Sequence, residues 1–152
     1  MSRQSDLSKS NEEHIGSSTS IKDCQLIDFQ IFKRNSAVLA AASLENEIPW
    51  NVKRIFFIEC NSAEIRGDHA HILCSQLFVR TAGNVVINCW DGSREVSFHL
   101  NSMNQALLVP PGIWVKLIMS ELSSVSVLTD RQYEQSDYLK NTEEFIMFKA
   151  IK

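Results

Sequence analysis

The sequence has no long hydrophobic run, because its apolar residues are spread in short groups along 152 positions. None of these groups approaches the roughly 20 residues that a membrane-spanning helix needs. The segment from Met1 to Ser20 also lacks the apolar centre of a secretory signal peptide. We therefore expect a cytoplasmic protein without a membrane partner.

An excess of charge of one sign is also missing, since 15 basic and 18 acidic residues leave a net charge of −3. No basic run suggests a groove for a phosphate backbone, so we expect no nucleic-acid partner. The cysteines form neither a CxxC pair nor a zinc-knuckle spacing. We interpret all four as reduced, buried thiols, which is how free cysteine usually occurs.

Short β-prone segments separated by Gly, Pro, Asn and Asp make up most of the chain. This pattern is typical of an antiparallel sandwich or barrel. Asp91-Gly92 predicts a two-residue hairpin turn between two of the segments. The predicted strands are Leu26–Phe32, Ala37–Leu44, Val52–Cys60, Gln76–Ala82, Asn84–Trp90, Glu95–Leu100, Ala106–Val109, Ile113–Met119 and Ser124–Thr129.

The two ends of the chain differ from this pattern. The N-terminus is polar and rich in serine, so we predict a disordered leader over residues 1–22. The remaining residues, 23–152, predict a single domain. A short helix is predicted from about Asp137 to Lys149, with Ser136 or Asp137 as its cap. The fold class is therefore all-β with a C-terminal helix.

Two histidines lie two residues apart in the segment Arg66-Gly67-Asp68-His69-Ala70-His71. On a strand, residues i and i+2 point to the same side, so both imidazoles would enter one space. Imidazole can carry protons near pH 7, and it is also the commonest metal ligand. The pair alone is compatible with either role.

The His-x-His spacing, followed by Gly83 and then by Pro110-Pro111-Gly112, resembles the two halves of the cupin motif. In metal-binding cupins a glutamate and a third histidine complete the ligand set, and here Gln76 and Val115 stand at those places. Two histidines and a neutral amide are a poor donor set for a catalytic divalent metal. We therefore predict no bound metal, which disfavours a metal-dependent oxygenase or epimerase.

A longer resemblance is to the sugar 3,4-ketoisomerase family. It is carried by the run from Val52 to Ile58, the Arg66–His71 segment, Gln76, the run from Val109 to Trp114 and the run from Tyr133 to Phe145. The resemblance implies a cupin-type antiparallel β-barrel or jelly roll. It also implies a homodimer, often strand-swapped, that needs no metal or cofactor.

The same resemblance implies an activity. The family moves the keto group of a dTDP-linked 4-keto-6-deoxyhexose from C4 to C3, supplying an aminotransferase in surface polysaccharide biosynthesis. The resemblance assigns catalysis to His69 and His71, which would act as acid and base through an enediol(ate). We interpret His69 as the carbon acid/base and His71 as the shuttle for the hydroxyl proton, although the reverse assignment stays open.

Four further residues are candidates for substrate binding. Arg66 would offer a planar guanidinium to the diphosphate, and Gln76 would hydrogen-bond the sugar. Trp114 would form an apolar wall, with core packing as the equal alternative. Arg54 is either a substrate contact or a residue of the rim or dimer interface.

One departure from the family keeps a second hypothesis open. Family members usually carry a tyrosine in the strand matched by Ile55-Phe56-Phe57, and here both aromatic positions lack its hydroxyl. A non-catalytic cupin that binds a nucleotide sugar and assists a partner enzyme would fit this loss. The intact pair of histidines favours the isomerase instead.

Overall fold

The computed structural model describes residues 15–151. Within this range it contains a helical turn at 15–18, the α-helix α1 (Thr142–Lys149), and two short 3-10 turns, Ile21–Asp23 and Gln135–Asp137. No helix in the described range is long and apolar enough to span a membrane. The strands are β1 (Gln25–Asp28), β2 (Gln30–Arg34), β3 (Ala37–Ala41), β4 (Arg54–Cys60), β5 (Glu64–His71), β6 (Gln76–Ala82), β7 (Val85–Trp90), β8 (Glu95–Leu100), β9 (Gln105–Val109), β10 (Trp114–Met119), β11 (Ser123–Thr129) and β12 (Tyr138–Leu139).

Two five-stranded antiparallel sheets share one hydrophobic core. The first has the order β1-β9-β6-β11-β4 and the second the order β12-β5-β10-β7-β8. Apolar residues alternate along the strands, so that one face of each sheet is buried between them. The core includes Phe78, Ile87, Leu107, Leu117 and Val127. All four cysteines are buried and unpaired, as predicted, and the all-β class with a C-terminal helix is confirmed.

Strands β2 and β3 form a separate hairpin that pairs with neither large sheet. The sequence predicts longer strands here, but the first of them is divided between β1 and β2. The hairpin carries exposed apolar side chains at Phe32, Val38 and Leu39, which are 56%, 42% and 56% exposed. The hairpin therefore presents an exposed apolar surface, and proteins usually cover such surfaces.

The predicted leader is wrong for residues 15–22. The chain forms a helical turn at 15–18, and Ile21 is buried in the main core. The rest of the predicted leader, residues 1–14, lies outside the described residues.

Backbone contacts hold this N-terminal segment in place. The Lys149 ammonium donates to the carbonyl oxygens of Thr19 (2.5 Å), Gly112 (3.0 Å) and Gly16 (3.3 Å). A Cβ atom on Gly112 would collide with the Gly16 carbonyl. Side-chain hydropathy does not reveal contacts made by backbone atoms, which is why the polar sequence predicts disorder.

The C-terminal helix begins later than predicted. Asn141, and neither Ser136 nor Asp137, is the N-cap, and its Oδ1 accepts hydrogen bonds from the backbone N–H groups of Glu143 (2.7 Å) and Glu144 (3.3 Å). The carboxylate of Asp137 contacts His71 instead.

The predicted hairpin between β7 and β8 is present, with its turn one residue later than expected. Asp91 and Arg94 close the turn through an N–H···O bond of 3.1 Å. Gly92 and Ser93 therefore lie at the tip, and Gly92 has the positive φ (+94°) that favours glycine.

Candidate functional site

A cavity of about 460 Å³ opens between β4 and β6 of the first sheet and β5 and β10 of the second. This volume is in the range of small-molecule binding sites. Two of its lining residues are arginines, and none of the described lining residues is acidic, so the cavity suits an anionic ligand. It is lined by Arg54, Phe56, Phe57, Ile58, Ile65, Arg66, Gly67, His69, Gln76, Phe78, Val115, Leu117 and Tyr138.

A β-bulge in β5 determines which side chains reach this cavity. The register between β5 and β10 shifts at Asp68, which is left without a cross-strand partner. Gly67 and Asp68 have positive φ angles of +79° and +63°. In a regular strand, residues three apart point to opposite faces, whereas the extra residue of the bulge places Arg66 and His69 on the same face. The bulge therefore brings a cation and an imidazole into one cavity.

The two histidines share one side of β5, as the sequence predicts. Their ring centroids are 5.1 Å apart, with an edge-on geometry. Tyr138 of β12 contacts both, with its ring centroid 4.9 Å from that of His69 and 4.4 Å from that of His71. Tyr138 is absent from the predicted site because its segment was predicted to be part of the C-terminal helix.

His71 is held by a buried carboxylate. Its Nδ1 lies 2.8 Å from Oδ2 of Asp137, and the two side chains are only 7% and 8% exposed. The other carboxylate oxygen accepts the backbone N–H of Leu73 at 2.7 Å. Because an ionised carboxylate only accepts hydrogen bonds, Nδ1 of His71 is the donor in this contact.

The free nitrogen of His71 is closed off from the cavity. Its Nε2 exposes less than 1 Å² and has no hydrogen-bond partner among the described residues, and His71 is not one of the cavity-lining residues. The interpretation of His71 as the shuttle for a substrate hydroxyl proton stays a prediction, and it requires Nε2 of His71 to become accessible from the cavity. His69, in contrast, lines the cavity wall.

The environment of His69 favours the neutral imidazole. Burial lowers its pKa from the ordinary value of 6.5, and the neighbouring His71 lowers it further. A hydrogen bond with the backbone of Gly67 acts in the opposite direction without reversing the shift. At pH 7, His69 is therefore a proton acceptor.

Three of the four predicted substrate-binding residues lie in the cavity wall. Arg66 and Gln76 line it, as does Arg54, whose guanidinium also lies 4.6 Å from the centroid of the Phe56 ring. Gln76 is 6% exposed, so its amide is available only from the cavity side.

Trp114 does not contribute to the cavity, and its predicted contact with a sugar is wrong. Its ring lies on the opposite face of β10 from Val115 and packs against Phe145 of α1, with centroids 5.5 Å apart. The indole Nε1 donates to Asp68 at 2.9 Å. Trp114 thus contacts the β5 bulge from the face that points away from the cavity. The alternation of side chains along β10 favours core packing over ligand contact for this residue.

One group of three metal-donor side chains occurs among the described residues. His71, Cys74 and Asp137 offer atoms within 4.8 Å of one another. Burial raises the pKa of the Cys74 thiol to about 12, and the other two side chains are bonded to each other. A metal ion would have to remove the thiol proton and break that bond, so this donor set does not fit a catalytic metal.

Comparison with known proteins identifies the family. Residues 22–150 match the family described as FdtA: WxcM-like, C-terminal. The chain belongs to this family. A curated relative, TDP-4-oxo-6-deoxy-alpha-D-glucose-3,4-oxoisomerase of Aneurinibacillus thermoaerophilus, is 28% identical over 130 residues, which cover 83% of this chain and 92% of the relative.

Two solved structures are also similar to this chain. A 3,4-ketoisomerase from Helicobacter canadensis is 27% identical with a TM-score of 0.80, and the match covers 84% of this chain and 97% of that one. The TDP-quinovose 3,4-ketoisomerase WlaRB from Campylobacter jejuni is 26% identical with a TM-score of 0.78, covering 84% and 99%. The resemblance to sugar 3,4-ketoisomerases, and with it the cupin-type fold, is confirmed.

Proposed function

We propose that this chain is a metal-independent TDP-sugar 3,4-ketoisomerase that uses His69 as its base. The observation that carries the proposal is the imidazole of His69 in the wall of an arginine-lined cavity, in a member of the FdtA family. Burial lowers the pKa of this imidazole and so favours its neutral form. The relatives named above act on TDP-linked sugars or are named 3,4-ketoisomerases, which supports the same substrate class.

Different residues of the cavity wall would bind different parts of the substrate. Arg54 and Arg66 would bind the diphosphate, because guanidinium offers paired donors to phosphate oxygens. Gln76 is buried in the wall and would hydrogen-bond the sugar. This arrangement would hold the keto-sugar with its reacting carbons beside His69.

The reaction moves two protons and leaves the sugar at the same oxidation level. His69 takes the C3 proton while the C3–H electron pair forms a C3=C4 double bond and the carbonyl electrons move to O4. The O3 proton then passes to O4 as the carbonyl re-forms at C3, and C4 receives a proton from His69. No electron leaves the sugar, so the chemistry requires no redox cofactor.

His71 is a positioning residue in this scheme. Its ring packs against those of His69 and Tyr138, and its own orientation is set by Asp137. A buried charge-assisted hydrogen bond of this kind fixes the ring plane and the tautomer. We expect its loss to disturb the placement of His69.

The protein is proposed to work as a homodimer that exchanges the β2–β3 hairpin. Exposed Phe32 and Leu39, on a hairpin that pairs with neither sheet, support this assembly. A second copy would cover these side chains. We place the reaction before an aminotransferase that makes a 3-amino sugar for surface polysaccharide.

The test is to incubate the purified protein with TDP-4-keto-6-deoxyglucose and follow the sugar signals by NMR. The proposal expects a 3-keto product with the wild type and none with His69→Asn. His99→Asn is the matched control, since His99 is exposed on β8. Tight binding without any product would refute the isomerase and leave the non-catalytic binding module.

A further inference from the structure

The guanidinium of Arg54, in the cavity wall, is surrounded by aromatic rings. Its central carbon lies 4.6 Å from the centroid of the Phe56 ring and 5.2 Å from that of the Tyr133 ring. Both distances are within the roughly 6 Å over which an aromatic face attracts a guanidinium. Across residues 15–151, no carboxylate forms an ion pair with Arg54. Aromatic rings, and not an anion of the protein, therefore hold this cation.

Contacts of this kind leave Arg54 able to bind an anion. A carboxylate partner would occupy the N–H donors of the guanidinium and neutralise its charge. An aromatic ring attracts the cation through its face, without a carboxylate oxygen to occupy those donors. The charge and the paired donors of Arg54 are therefore available to phosphate oxygens.

We propose that Tyr133 is a positioning residue, which holds the Arg54 guanidinium where it receives the diphosphate of the nucleotide sugar. This inference rests on the proposed function, because it concerns an arginine that would bind the substrate of that reaction. Tyr133 is not one of the cavity-lining residues. It acts on the ligand through Arg54 alone.

The fold brings the two rings to Arg54 from different parts of the chain. Phe56 follows Arg54 by two residues on β4, so both side chains leave the same side of the strand. Tyr133 comes from the segment after β11, whose last residue, Thr129, is the cross-strand partner of Arg54. The pairing of β4 with β11 therefore places the start of this segment beside the arginine.

Hydrogen bonds anchor the segment that carries Tyr133. The buried hydroxyl of Thr129 donates to the Arg131 carbonyl at 2.7 Å, and Nε of Arg131 donates to the Leu73 carbonyl at 3.3 Å. Tyr133 itself is 57% exposed. Because an exposed ring contributes little to the core, its contact with Arg54 is the more informative property of this side chain.

The test compares two substitutions of the same residue. Tyr133→Leu removes the ring, whereas Tyr133→Phe keeps it and removes only the hydroxyl. We expect the Kd for TDP, measured by isothermal titration calorimetry, and the KM for the keto-sugar to rise by about 3- to 30-fold in Tyr133→Leu, which is the range of one cation–π contact. The kcat should stay at the wild-type value, because the lost interaction is the same in the ground state and the transition state. Tyr133→Phe should behave as the wild type.

A double-mutant cycle identifies the residue through which Tyr133 acts. In an Arg54→Met background, Tyr133→Leu should leave the Kd for TDP unchanged, because the guanidinium that it positions is absent. Arg66→Met provides the matched control. Arg66 also lines the cavity, but within residues 15–151 it makes no cation–π contact. In that background Tyr133→Leu should raise the Kd by the same factor as in the wild type.

The outcomes separate this inference from the function on which it rests. A wild-type Kd in Tyr133→Leu would overturn the positioning role, and so would an equal loss in Tyr133→Phe. A lower kcat with an unchanged KM, or an undiminished effect in the Arg54→Met background, would overturn it as well. None of these results affects the ketoisomerase, provided that the wild type forms the 3-keto product. If the wild type binds no TDP, the substrate assignment and this inference fail together.

Discussion

Replacing Asp137 by asparagine tests how the buried carboxylate controls the histidine pair. The carboxylate accepts two hydrogen bonds, 2.8 Å from His71 Nδ1 and 2.7 Å from the Leu73 N–H. Asparagine has one acceptor oxygen. If this oxygen keeps the Leu73 bond, its NH₂ group faces Nδ1 and forces the proton of His71 to Nε2. The substitution keeps the shape of the site and reverses the tautomer.

The expected loss follows from the strength of the bond that is removed. A hydrogen bond to a charged group contributes about 1.5–3 kcal/mol. If that energy orients the histidines in the transition state, kcat falls by about 10- to 150-fold, at 1.36 kcal/mol for each factor of ten. The assay is kcat for the 3-keto product, together with ¹⁵N NMR of the His71 ring to identify the tautomer.

A matched control is Asp130→Asn. Asp130 accepts the Ser75 N–H at 2.9 Å but bonds no histidine among residues 15–151, so its variant should keep the wild-type kcat. An Asp137→Asn enzyme with the native tautomer and a kcat within twofold of the wild type would refute the reasoning.

Three other perturbations test separate parts of the account. Because burial lowers the pKa of His69, protonation should inactivate the free enzyme only below pH 6.5, and a kcat/KM profile whose acidic limb bends above that value would contradict the assignment. Lys149→Met removes an ammonium bonded to three carbonyl oxygens. It should lower the free energy of unfolding by about 1–3 kcal/mol, or Tm by roughly 2–10 °C in differential scanning calorimetry. An unchanged Tm would show that the N-terminal segment is not held by this contact. Incubation with a chelator should leave kcat unchanged in metal-analysed protein, whereas loss of activity that zinc or iron restores would overturn metal independence.

The sequence predicted most of the strands, although not β5 or β12, and it predicted the shared side of the histidines, because both depend on local alternation. His69 and His71 are two residues apart, which fixes their relative direction on any strand. Trp114 could have been assigned by the same rule, since it alternates with Val115. The parts of the fold that follow strand periodicity were therefore open to prediction.

Other parts of the site depend on contacts between distant segments. The bulge that turns Arg66 toward His69 arises at the pairing of β5 with β10, and Asp137 reaches His71 across 66 positions of chain. No local sequence pattern indicates either feature. Asp137 was predicted to cap the helix because an aspartate before an apolar helical segment usually has that role. The N-terminal segment was missed for a similar reason, because the ammonium of Lys149 holds it through backbone carbonyls.

The central claim is that neutral His69 breaks the C3–H bond of a bound keto-sugar, and a substrate deuterated at C3 tests it most directly. Mass spectrometry and NMR would follow the label at C3 during incubation with wild type, His99→Asn and His69→Asn. The account predicts loss of the label with the first two proteins and its retention with His69→Asn. Loss of the label at the wild-type rate in His69→Asn would contradict it.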